Sequence, residues 1–203
     1  MKVITMADKE RVLQYIHENN GVIRALDVRE MGMDTKVLQR LEKSGDLERV
    51  AHGLYMDAEH LEDPFLVAQH RCPKGVFSMD TALILHQLSD RNPVKFSLTI
   101  PSGWNTSLLR ESSRYRFFYL KESLWKMGQS TIVSAYGNVL TVYNVERTIC
   151  DCIRKIDELD RDEVLSAVKI YMKRPDAKWH ELMNYAELFH IRDTVRQYIE
   201  VLR

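Results

Sequence analysis

Apolar residues recur at helical spacing in three short runs near the start of the chain, and two short extended runs follow. Residues 8–19 carry Val12, Leu13 and Ile16 about one turn apart, with Asp8 placed as N-cap and Asn20-Gly21 as the stop. Residues 24–31 predict a second helix with Leu26 and Val28 turned inward, and Gly32 makes the turn after it. Asp34 is placed to cap a third helix, on which Val37, Leu38 and Leu41 form the buried stripe and Gly45 the stop. Residues 47–50 and 54–56 read as a hairpin turning at His52-Gly53. Three short helices and then a hairpin is the order of a winged helix-turn-helix, assigned here to residues 1–60.

The acidic stretch 58–63 ends at Pro64, where the domain boundary is placed, so that residues 64–203 form a second domain. There, residues 65–71 and 79–88 predict helices, 95–101 and 114–120 predict strands, and 130–136 with 138–143 predict a hairpin turning at Gly137-Asn138. From Val145 the pattern is helical over 145–158, 160–173, 178–189 and 191–202. Strands followed by a run of helices make the whole an α+β protein: a winged helix-turn-helix, then a larger mixed α/β domain ending in helices.

Lys and Arg number 29 and so do Asp and Glu, which leaves a formal net charge of zero. Any basic surface must therefore come from arrangement rather than composition. No run of 18 apolar residues predicts a membrane span. Residues 1–8 are too short and too soon charged for a signal peptide. Three cysteines, an odd count, argue against a disulfide scaffold and for a reducing cytoplasm; Cys150 and Cys152 point to different faces of one helix as small buried hydrophobes.

The third helix changes the picture. Opposite its apolar stripe lie Thr35, Lys36, Gln39, Arg40 and Lys43. Arg and Lys donate to guanine O6 and N7, Gln pairs with adenine, and Thr touches a thymine methyl or a phosphate. The N-terminal part of a recognition helix approaches base edges. Thr35, Lys36, Gln39 and Arg40 are thus the candidate base readers, and Lys43 a phosphate contact. Arg49 and His52 extend the surface onto the wing, and Arg24, opening the second helix, is placed on a phosphate. Over residues 36–52 the four basic residues exceed Glu42, Asp46 and Glu48 by only one charge. A winged helix used for protein contacts has the same polar face.

The run "NGVIRALDVREMGMDTKVLQRLEKSGDLERVAHGLYM" resembles the N-terminal winged helix of the AbiEi antitoxins of bacterial abortive-infection systems. The shared elements are Gly21-Val22-Ile23, the leucine-bearing helix through Arg40, Ser44-Gly45, Leu47-Glu48-Arg49-Val50 and Gly53-Leu54-Tyr55. Further along, "SMDTALILHQLSD", "LTIPSGW" and the Glu-Arg-Thr-x-x-Asp run of "YNVERTICDCIR" are similar to the same family, so the likeness spans most of residues 10–155. The resemblance implies an autorepressor that binds inverted repeats in its own promoter. It also implies a C-terminal domain that counteracts a co-encoded nucleotidyltransferase-like toxin without a stable complex. The likeness departs at the wing, where a basic residue is usual before the Gly and His52 stands here with partial charge at neutral pH.

No cofactor or metal is expected, and no catalysis. His180-Glu181 lacks its second His, since Asn184 stands there; Asp160-Arg161-Asp162 has no preceding Gly-Ser; Asp176-Ala177-Lys178 lies between helices. Glu146, Arg147 and Asp151 have two readings: capping and ion pairing that lock a helix to the sheet, or part of a surface needed to neutralise the toxin. Trp104, Trp125 and Trp179 are expected in the core or at a domain interface. The alternative function is a plain winged-helix transcription regulator whose C-terminal domain senses a ligand or partner.

Overall fold

The apolar stripes of the N-terminal elements converge on one small core. The computed structural model describes residues 6–202; residues 1–5, which carry most of the short N-terminal segment discussed above, and residue 203 lie outside the described residues. Val12 and Ile16 of α1 (Met6–Glu18), Ile23 of β1 (Val22–Arg24), Val28 of α2 (Ala25–Glu30) and Val37, Leu38 and Leu41 of α3 (Lys36–Ser44) are all buried together. Burying each such side chain contributes roughly 1.5–3 kcal/mol relative to exposure. That sum, not intrinsic propensity, holds helices as short as α2 and α3, which would not persist in isolation. β2 (Leu47–Ala51) and β3 (Leu54–Asp57) form the hairpin, and β1 adds to β3, giving an antiparallel sheet of order β1-β3-β2. The fold is α+β and its first part is a winged helix-turn-helix.

Two details differ from the sequence reading. Arg24 ends a strand as well as standing at the N-cap of α2, and Leu26 is 51% exposed while Asp27 is buried. Asp27 turns inward because its carboxylate accepts the Arg24 backbone N–H at 2.8 Å and the Arg24 Nε–H at 3.0 Å. α1 begins at Met6, so Asp8 sits in its first turn and does not cap it.

The chain divides into two units: residues up to Pro73 with Val133–Val139, and Lys74–Ile132 with residues from 140 on. The boundary expected at Pro64 falls on the first residue of α4 (Pro64–Arg71), which belongs to the first unit. Asp63 caps α4 by accepting from Phe65 N at 2.9 Å and Leu66 N at 3.3 Å, and Pro64 fills the first helical position. The other Asp63 oxygen accepts from Ser134 Oγ at 2.6 Å and Asn138 Nδ2 at 3.0 Å, clipping segment 133–139 onto this unit. Asp63 is 2% exposed, so its truncation strands several buried donors. Asp63→Ala is expected to lower stability by about 1–3 kcal/mol. Denaturant unfolding followed by circular dichroism checks this, and an unchanged midpoint contradicts it.

The second unit is a five-stranded mixed sheet flanked by helices. Its strands are β4 (Val76–Phe77), β5 (Phe96–Pro101), β6 (Tyr115–Leu120), β7 (Gln129–Val133) and β8 (Val139–Tyr143), in the order β6-β5-β4-β8-β7. β5 pairs parallel with β6 and antiparallel with β4, and β4 pairs parallel with β8. α5 (Met79–Leu85), α6 (Glu122–Lys126), α7 (Val145–Arg154), α8 (Arg161–Met172), α9 (Trp179–Leu188) and α10 (Arg192–Leu202) complete it. α7 is the hub, with all eight residues from Glu146 to Ile153 buried. The ionisable residues of a helix surrounded on all sides need internal partners.

Candidate nucleic-acid interface

α3 owes its rigidity to both ends as well as to its apolar underside. Asp34 Oδ1 accepts the Lys36 backbone N–H at 2.9 Å, doing the work expected of a cap although Thr35 is the flanking residue. Gly45 at φ +81 closes the C-terminus in the left-handed region, with Asp46 N bonded to Leu41 O at 3.0 Å. Lys9 of α1 ties this end down through Asp46 at 2.7 Å, and Ser44 Oγ donates to the same carboxylate at 2.6 Å. These bonds hold the Asp46 carboxyl below the usual carboxylate range.

The outward face carries Lys36, Gln39, Arg40 and Lys43 at i, i+3, i+4 and i+7, all exposed. Among the described residues no side chain pairs with any of the four. Thr35 is half-buried. Two other cations of this unit are engaged: Lys9 with Asp46, and Arg24 with Asp27, whose hydrogen bond raises the Arg24 guanidinium further. Because Lys9 answers Asp46, the surface beside α3 is more positive than the one-charge excess in its own sequence suggests.

The wing is the β2–β3 hairpin. His52 and Gly53 form its tip, and Gly53 at φ +72 supplies the left-handed turn residue. The ladder slips between Arg49 and Ala51, a β-bulge that twists the hairpin end. Arg49 and His52 are both exposed, and Arg49 Nη2 lies 2.9 Å from His52 Nδ1. His70 of α4 donates to His52 O at 3.0 Å, bracing the tip from behind. This brace and the strand β1 went unseen in the sequence. The Asp63-Pro64 pair, read there as a break, is an N-cap and first-turn signature that would have placed α4 in this unit.

Lys36, Gln39, Arg40 and Lys43 lie on α3 and Thr35 just before it, while Arg49 and His52 lie on the β2–β3 hairpin. Arg24 stands apart from that set because its guanidinium is held by Asp27. Glu146, Arg147 and Asp151 form no surface: they are 4%, 0% and 0% exposed. Arg147 Nε donates to Asp151 at 2.7 Å, its Nη1 donates to Leu124 O at 3.0 Å and Met127 O at 2.9 Å, and its guanidinium lies 4.3 Å from the Tyr143 ring centre and 4.4 Å from that of Phe189. Glu146 accepts from Lys178 N at 3.1 Å and Tyr171 OH at 3.3 Å. The expectation of a toxin-facing surface on these residues is corrected accordingly; they are an internal latch.

The carboxylates of the enzyme-like motifs have structural partners. Asp160 caps α8 and pairs with Arg91 at 2.8 Å, and Asp176 pairs with Arg174 at 2.9 Å. Asn184 Nδ2 lies 3.0 Å from His180 Nδ1. Burial pushes the Cys150 thiol up to about 12 and raises Cys152 well above its ordinary value, so neither is a thiolate near neutral pH. Trp179 is 40% exposed and meets the Tyr171 ring edge-on, which sets aside the core, one of the two places expected for it. No helix of the described residues is long and apolar enough to cross a membrane.

Comparison with known proteins bears on the fold and on the N-terminal segment. The crystal structure of the RV2827C protein from Mycobacterium tuberculosis is similar at a TM-score of 0.50 and 12% identity, covering 98% of this chain and 83% of that one, a likeness of fold alone. No curated protein matches the chain. A family model described as "Transcriptional regulator, AbiEi antitoxin" matches residues 10–56, the segment from α1 to β3. Residues 10–56 are thus similar to the AbiEi antitoxin transcriptional regulators, the family that the sequence motifs resemble.

Proposed function

We propose that this chain is an antitoxin of a bacterial abortive-infection system, a phage defence, that also binds inverted repeats in promoter DNA and represses its own operon. The observation that carries the DNA-binding half is the exposed stripe Lys36, Gln39, Arg40 and Lys43, whose side chains have no partner among the described residues, on a helix anchored by Val37, Leu38 and Leu41. A stripe held this firmly presents donors to the major groove with little conformational entropy left to lose. Arg40 and Lys36 take guanine edges, Gln39 an adenine, and Thr35 a methyl or phosphate near the helix start. Lys43 and Arg49 take phosphates, with Arg24 at most a peripheral contact. The family match of this segment supports the same reading. The toxin is a nucleotidyltransferase-like protein opposed without a stable complex, and the chain acts in the cytoplasm without catalysing a reaction.

A mobility-shift assay with the duplex upstream of its own gene tests this. Binding is expected to weaken steeply with added salt, because each phosphate neutralised releases condensed counterions. Arg40→Ala is expected to cost about 1–3 kcal/mol on the cognate duplex and little on an unrelated one. Equal losses on both would make Arg40 a phosphate contact; no loss on either would remove it from the interface.

A further inference from the structure

The wing holds a side-chain contact whose geometry depends on a proton. Arg49 Nη2 lies 2.9 Å from His52 Nδ1, and a guanidinium has no acceptor. A hydrogen bond at this contact requires Nδ1 as the acceptor, which is the neutral tautomer with its proton on Nε2. Arg49 Nε also donates to Ala51 O at 3.4 Å, so the guanidinium is folded back along its own hairpin. The backbone at the tip is pinned independently: His70 donates to His52 O at 3.0 Å, and Ala25 N donates to Gly53 O at 2.8 Å. Only the two exposed side chains are left to rearrange.

Arg49 on the hairpin meets the ring itself, His70 of α4 meets the His52 carbonyl, and Arg24 and Asp27, which pair with each other, flank Ala25, whose backbone bonds Gly53 beside it. No carboxylate of the described residues is hydrogen-bonded to the imidazole. A proton added to Nδ1 turns the acceptor into a donor facing a cation, and the contact with Arg49 is lost.

Building on the DNA-binding reading above, we propose that His52 is a proton switch of the wing. Neutral, it holds Arg49 back along the hairpin; protonated, it releases Arg49 and adds a second cation at the tip. The polyanion favours the protonated form, so promoter occupancy rises as pH falls. Each additional phosphate contact steepens the log–log salt dependence by about 0.9, and one to two such contacts are gained.

The test uses the full chain and the duplex upstream of its own gene, at about pH 8 and about pH 5.5 and one ionic strength. Fluorescence anisotropy is expected to show binding tighter by roughly tenfold at the lower pH. His52→Gln, whose amide oxygen remains a neutral acceptor, is expected to stay flat. A wild-type protein with no pH response, or a His52→Gln variant with the same response, overturns the switch. A second readout needs no DNA: the Arg49 Nε–H group, followed by NMR relaxation, should be ordered at the higher pH and mobile at the lower. Arg49 equally ordered at both overturns the switch and leaves the DNA-binding reading standing. Arg49 released by acid in a protein that binds no duplex at either pH upholds the proton-dependent release and overturns that reading.

Discussion

Arg147→Ala is expected to destabilise the second unit by about 3 kcal/mol, the lower end of what breaking a buried ion pair costs. The substitution strands Asp151, leaves the Leu124 and Met127 carbonyls without their donor, and opens a void between Tyr143 and Phe189. The effect stays at the low end because Arg154 still reaches Asp151 at 2.8 Å. Arg147→Lys should recover little, since one ammonium cannot serve both carbonyls and the carboxylate in the fork's geometry. Trp104, Trp125 and Trp179 all lie in this unit, so tryptophan fluorescence during urea unfolding reports on it alone. A loss below about 1 kcal/mol would mean that the latch is not structural.

Lys36→Glu combined with Arg40→Glu is expected to abolish promoter binding while leaving the fold intact. Both side chains are exposed and make no hydrogen bond or ion pair with other described residues, so the folded state loses no such bond. The duplex, by contrast, meets two repelling carboxylates where two donors stood, and the electrostatic sign of the helix reverses. Carried in the full chain, this variant also separates the two proposed activities: growth rescue from the co-encoded toxin should survive while repression of a reporter behind the promoter is lost. Loss of both together would tie toxin relief to DNA binding.

The N-terminal unit was legible because local signals there agree with tertiary packing. Val37, Leu38 and Leu41 announce the buried side of α3, Gly45 its end, and His52-Gly53 the turn. The same helix therefore showed its free face in advance. What stayed hidden depends on distant partners. β1 is three residues long and exists because β3 offers it an edge. The clip from Asp63 to Ser134 and Asn138 joins residues 71 and 75 positions apart, which no local pattern encodes. Leu26 was placed inward by spacing, but Asp27 took the inward position because Arg24 gave it a partner. In the second unit the helical run was readable from periodicity, whereas the role of Arg147 was not. A fully buried arginine looks like a surface residue until its carbonyl acceptors and aromatic neighbours are in view.

Titrating the isotopically labelled full chain with the promoter duplex, and following side-chain signals by NMR, tests the central claim most directly. The account predicts that Lys36, Gln39, Arg40 and Lys43 shift together with Arg49, and that the Arg147 cluster does not respond. Perturbations confined to another surface, with the α3 signals unmoved at low salt, would contradict it.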